Sequence, residues 1–138
     1  VSDVEKTRVV ILPCSGIGKA YGEIGRQAAY EVMEDLRPGQ VQTACLGRVM
    51  IRDPETLEQL RDAYVVTVDG CAKDCARKNV EAAGIKVDAA VRTIEVFKEH
   101  RELKPAGVLE LGEPGMQLAH LLAHQLAGKV DCAEQEEG

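Results

Sequence analysis

Apolar residues along this chain fall into two kinds of pattern, short unbroken runs and spaced stripes, and the two alternate. Val9-Val10-Ile11-Leu12 and Tyr64-Val65-Val66-Thr67-Val68 are continuous, β-branched runs, the pattern of strands buried on both faces. Val41-Gln42-Thr43-Ala44 is a shorter run of the same kind. Between them the period changes to that of a helix. Ile24, Ala28, Val32 and Leu36 predict a helix over about 19–36, ended by Arg37-Pro38-Gly39. Asp53-Pro54-Glu55 reads as an N-cap followed by proline at the first helical position, opening a helix to about Ala63 with Leu57, Leu60 and Ala63 inward. A further helix is expected from about Ala72 to Ala83, with Gly84 as its C-cap.

The last third is patterned less clearly. Between Ile85 and Leu103, Val87, Val91, Ile94 and Phe97 fit a helix face, whereas Ile94 and Val96 alternate as in a short strand. Gly112-Glu113-Pro114-Gly115 reads as a turn. Met116 to Leu126 reads as an amphipathic helix with Leu118, Leu121, Leu122 and Leu126 inward. Residues 131–138 form an acidic tail expected to fray.

Strand and helix in strict alternation predict an α/β fold: a single three-layer α/β/α domain over 1–138 with a mainly parallel, Rossmann-like sheet and right-handed crossovers. The first strand is expected between the second and third. At 138 residues the chain can bury about two thirds of its unfolded surface, enough for an ordinary hydrophobic core.

Composition narrows the function. A net charge of −6 argues against a nucleic-acid partner, which needs a basic face. One Phe, three Tyr and no Trp leave little for an aromatic-lined pocket. No apolar stretch approaches the roughly 18–20 residues of a membrane span, and no basic leader precedes an apolar segment, so a cytoplasmic protein is expected.

The five cysteines then carry the chemistry. Cys14, Cys45 and Cys71 each follow a predicted strand, and Cys75 lies four residues past Cys71. Ligands of open α/β sheets bind at the carboxyl ends of the strands, and neighbouring strands lie about 4.8 Å apart, so sequence-distant thiols can meet there. Zinc or an iron–sulfur cluster takes up to four such thiolates. Cys71 and Cys75 at a helix start would share one face, and Lys73, Arg77 and Lys78 would favour the thiolate, making Cys71 the most reactive. Ordinary core cysteines would account for one or two of these positions, but poorly for four. Cys132, in the tail, reads as an incidental exposed thiol or a resolving thiol.

The same residues carry a resemblance. Cys14-Ser-Gly-Ile-Gly, Gly25-Arg-Gln-Ala-Ala, Cys45-Leu46-Gly47, Val68-Asp69-Gly70-Cys71-Ala-Lys-Asp-Cys75-Ala-Arg-Lys and Glu81-Ala-Ala-Gly84 resemble the DGC-domain family over about 9–85. The resemblance implies zinc binding, with the chelators falling on Cys14, Cys45, Cys71 and Cys75. It implies no established reaction, and residues 86–130 match it less well.

Other constellations are weaker. Gly16, Gly18 and Gly22 follow a strand, as in phosphate-binding turns, but their spacing departs from G-x-G-x-x-G and no P-loop follows. Position 20 is Ala, where a phosphatase-like cysteine loop would need Arg. His120 and His124 share a helix face and read as metal ligands or as a polar flank of the leucine stripe. Asp69 reads either as a turn former before Gly70 or as a group holding a thiol or amide in place.

Two function classes follow. One is a metal-binding protein that holds or delivers zinc or another thiophilic ion through four thiolates. The other is a thiol-based redox or persulfide-carrier enzyme using Cys71 or Cys14, with an iron–sulfur protein as a lesser alternative. Either would work with a thiol-redox or metal-transfer protein as partner.

Overall fold

The computed structural model describes residues 9–14, 20–70, 74–103 and 112–137. In chain order these form β1 (Val9–Pro13), α1 (Ala20–Glu31), a π-helical turn (Val32–Leu36), β2 (Val41–Thr43), α2 (Leu46–Met50), α3 (Pro54–Arg61) and β3 (Tyr64–Asp69). There follow α4 (Cys75–Ala82), β4 (Ala89–Arg92), α5 (Thr93–Glu99) and α6 (Gly112–Glu137).

The four strands make one parallel sheet in the order β2-β1-β3-β4, with Val9 opposite Val41 and Tyr64, and Val68 opposite Val91. The first strand therefore lies between the second and third, as expected. Every residue from Val9 to Leu12 is buried, and alternate side chains enter different cores. Val9 and Ile11 pack with Ile24, Ala28 and Val32 and with Leu118, Leu122 and Leu126 of α6. Val10 and Leu12 pack with Leu46, Val49, Leu57, Leu60 and Val80 from α2, α3 and α4. A strand between two helical layers has no polar face to show water, and this is why β1 and β3 are unbroken apolar runs.

Local signals explain several elements. Asp53 Oδ2 accepts from the Thr56 backbone N–H at 3.1 Å and from its hydroxyl at 2.7 Å, the cap expected ahead of Pro54. Gly84 takes φ of +82°, the left-handed conformation expected of a C-cap glycine. Gly25 matters for space: a Cβ there would stand 3.2 Å from Val68 Cγ1 and 3.5 Å from Thr93 Oγ1, so its absence lets α1 settle on the sheet. The helix predicted to Leu36 is α-helical only to Glu31. It ends in a wider turn closed by the Arg37 N–H on Val32 O at 2.8 Å.

The C-terminal third differs from its pattern. Between Ile85 and Leu103 the chain makes β4 and then α5, so Val91 is a strand residue whereas Ile94, Val96 and Phe97 are helical. A window holding two short elements has no single period. Gly112 to Gly115 is the first turn of α6, not a free turn; proline is tolerated in a first turn, where N–H groups lack partners. Leu121 is 36% exposed while Leu118, Leu122 and Leu126 are fully buried, so the inward stripe is narrower than expected. α6 continues through the start of the acidic tail to Glu137, and Asp131 accepts from Arg37 Nε and Nη2 at 2.9 and 2.7 Å. Among the described residues no helix is long and apolar enough to cross a membrane.

Candidate metal and thiol site

At the carboxyl edge of the sheet, the two adjacent strands β1 and β2 deliver the first two predicted thiols. Cys14 directly follows β1, and its N–H donates to Val68 O of β3 at 2.8 Å, so its backbone is held as a continuation of the sheet. Cys45 follows β2 and serves as the extended residue before α2, whose Arg48 N–H donates to Cys45 O at 3.1 Å. Cys14 is half-buried and Cys45 exposed, and both are free thiols. They line one cleft of about 260 Å³ together with Thr43, Leu46 and, from α1, Arg26 and Tyr30. Typical ligand pockets run from about 300 Å³ upward, so this cleft suits an ion or a small group.

Arg26 lines that cleft with its charge paired to Glu23. Its Nη1 lies 3.5 Å from Cys14 O, and Nη2 lies 2.5 Å from Glu23 Oε2. Glu23 also accepts from Gln27 Nε2 at 3.0 Å; this bond, with the Arg26 pair, holds its carboxyl below the usual range against the opposing effect of burial. The guanidinium is thereby oriented by a carboxylate that stays ionised. Sequence reasoning did not find Arg26 or Tyr30. Their four-residue spacing, on a side of α1 different from Ile24 and Ala28, was the available signal.

The β3–β4 half of the same edge is built differently. Asp69, the last residue of β3, is 2% exposed and accepts from the N–H groups of Ala76 at 2.7 Å and Arg77 at 3.2 Å. It thus holds two amides at the start of α4, the positioning role among its two expected readings. Burial pushes its carboxyl above the ordinary range, and the two N–H bonds only partly offset this. Asp74 sits in the left-handed region at φ 56° and pairs with Arg92 of β4, Oδ1 to Nε at 2.7 Å. The hydrogen bond from Arg92 is the main cause of the lowered pKa of Asp74, and it raises that of Arg92 in turn.

Asp74 is left-handed, and α4 begins directly after it at Cys75, whereas the start near Ala72 expected from the sequence lies outside the described residues. Cys75, which is exposed, is the thiol at the start of α4, and the helix face expected to join it to Cys71 involves residues outside those described. Cys71 lies outside the described residues, as do Gly16, Gly18 and Lys73. Cys132 falls within α6. Among the described residues, Cys14, Cys45 and Cys75 do not come within common reach of a single ion, so they alone make no ready chelate.

Fold and site define a parallel α/β/α domain bearing free thiols along the carboxyl edge of its sheet. The chain belongs to the DGC-domain family, whose model matches residues 10–111. The match runs through β4 and α5, beyond the Ile85 limit expected from the motifs. Family membership is consistent with a metal-binding role. No curated protein and no solved structure matches the chain.

Proposed function

We propose that this protein binds a thiophilic metal ion, zinc first, through the thiolates of Cys14, Cys45, Cys71 and Cys75 at the carboxyl edge of its sheet. The observation that carries the reading is that Cys14 and Cys45, 31 positions apart in sequence, line one small cleft at the ends of adjacent parallel strands. Soft sulfur donors fit zinc and other thiophilic ions in preference to magnesium or calcium. Because the three described thiols are not within common reach of one ion, capture draws them together. A site assembled on binding suits a protein that takes up and gives away its ion better than a preformed structural site does. The metal is cargo in this reading, and a metal-transfer protein is the matching partner.

A second reading rests on the same cleft. A half-buried thiol lining a cleft, without a ready chelate, also suits thiol exchange or persulfide carriage by Cys14 or Cys71. Elemental analysis of anaerobically purified protein with a free-thiol count separates the two. Near-stoichiometric metal with thiols protected until a chelator is added supports metal binding. Metal-free protein with one fast-reacting thiol supports exchange, and brown, iron-containing protein supports an iron–sulfur cluster.

A further inference from the structure

We propose a second metal site, independent of the thiols, in which His120 and His124 chelate a divalent, imidazole-preferring ion such as Zn²⁺ while Glu31 orients His120. The two histidines are one turn apart on α6, and Glu31 is the last residue of α1, which packs beside α6. His120 Nδ1 lies 2.6 Å from Glu31 Oε2, and His120 Nε2 lies 3.0 Å from His124 Nε2. The rings meet edge-on, with centroids 4.4 Å apart and planes at 80°. Among the described residues this is the one group of three whose ligand atoms all stand within 4.8 Å of one another.

The geometry assigns each atom a task. A carboxylate accepts only, so Glu31 takes the Nδ1–H of His120 and leaves the His120 Nε2 lone pair pointing outward. That lone pair faces His124 Nε2. Without metal the 3.0 Å gap is bridged by a proton on His124 Nε2; with metal, His124 carries that proton on Nδ1 and both Nε2 atoms become donors. Zinc–nitrogen bonds of about 2.0–2.1 Å in tetrahedral geometry need a nitrogen separation of about 3.3 Å, so a small rotation of either exposed ring admits the ion. Glu31 would act through His120 as the carboxylate partner of many metal-binding histidines does, making it a positioning residue rather than a ligand. His120 also borders an open groove with Glu113 and Gln117, so water can fill the ion's remaining positions. Both histidines lie beyond residues 10–111, so the two proposed ligands fall outside the family match while Glu31, which orients one of them, lies within it.

The test is a Zn²⁺ titration of the full chain followed through its imidazole nitrogens by two-dimensional proton–nitrogen NMR. The chain has three histidines, and His100, at the end of α5 beside Glu102, serves as internal control. The Nε2 signals of His120 and His124 should shift together and saturably while His100 stays in place. Either His120→Ala or His124→Ala should abolish the shift of the remaining partner. Glu31→Ala should weaken zinc binding about 10–100-fold and change the tautomer signature of His120, with His124 still responding at high zinc. No saturable shift, or an equal shift of His100, would overturn the site. A Glu31→Ala loss as complete as that of His124→Ala would overturn the assignment of Glu31 as a positioning residue. The readout is on nitrogen, so failure of the thiol site leaves it unaffected, and the reverse also holds.

Discussion

The two halves of the sheet's carboxyl edge are built to opposite ends. Around β1 and β2, Cys14 and Cys45 open onto a cleft, Cys45 is exposed, and Arg26, which lines the cleft, is held by Glu23. Around β3 and β4 the polar groups are committed. Asp69 caps two amides of α4, and Asp74 is locked to Arg92. One half of the edge is tied together by buried hydrogen bonds and an ion pair, and the other presents its thiols to a cleft. Cys75, at the start of α4, stands on the β3–β4 side.

Substitutions should separate the halves by size of effect. Asp69→Ala should be the most damaging, since it leaves two N–H groups at the start of α4 without their acceptor; a loss of about 1–3 kcal/mol is expected in denaturant unfolding. Arg92→Met should cost less, because the pair is partly screened by solvent, and should shift the melting temperature by a smaller amount. Cys14→Ser and Cys45→Ser should hardly move it, since the fold rests on apolar strands and helix stripes that these changes leave in place. A Cys45→Ser melting point that fell as far as that of Asp69→Ala would erase the distinction between the halves.

Acid and alkali sharpen the same contrast. Asp74 has a pKa below the 3.8 of a free Asp, so its contribution is complete above about 3.8 and is lost as pH falls through the lowered value. Asp69 has the opposite sign. Its native carboxyl keeps a proton that the unfolded chain has released, so its contribution declines as pH rises from about 3.8 through the raised value. Asp69→Asn should remove that decline, and Asp74→Asn should flatten the acid limb, both read from melting temperature against pH. The smallest expected difference is in reactivity: in metal-free protein, exposed Cys45 and Cys75 should alkylate faster than half-buried Cys14. Mass mapping of the modified peptides checks the order.

Much of this was legible in the chain because each signal was local and repeated. Unbroken runs at β1 and β3, the Asp53-Pro54 cap and the Gly84 stop needed no knowledge of tertiary structure. Alternating order then placed Cys14 and Cys45 on one edge. What escaped were features made by distant partners. Asp74 adopts a left-handed backbone and pairs with Arg92, 18 residues away, directly ahead of the start of α4 at Cys75. Arg37 pairs with Asp131 across 94 residues, tying a segment read as a fraying tail to the end of the π-helical turn. Glu31 reached His120 by the packing of α1 on α6, which no spacing announces.

The central claim is that Cys14, Cys45, Cys71 and Cys75 act as one metal-holding set. Metal per chain, measured after anaerobic zinc loading and removal of weakly held ion, tests it in the wild type and the five single Cys→Ser variants. The account predicts close to one retained ion in the wild type and in Cys132→Ser, and a clear loss in each of the other four with unfolding unchanged. Metal content unaffected by those four substitutions would contradict it.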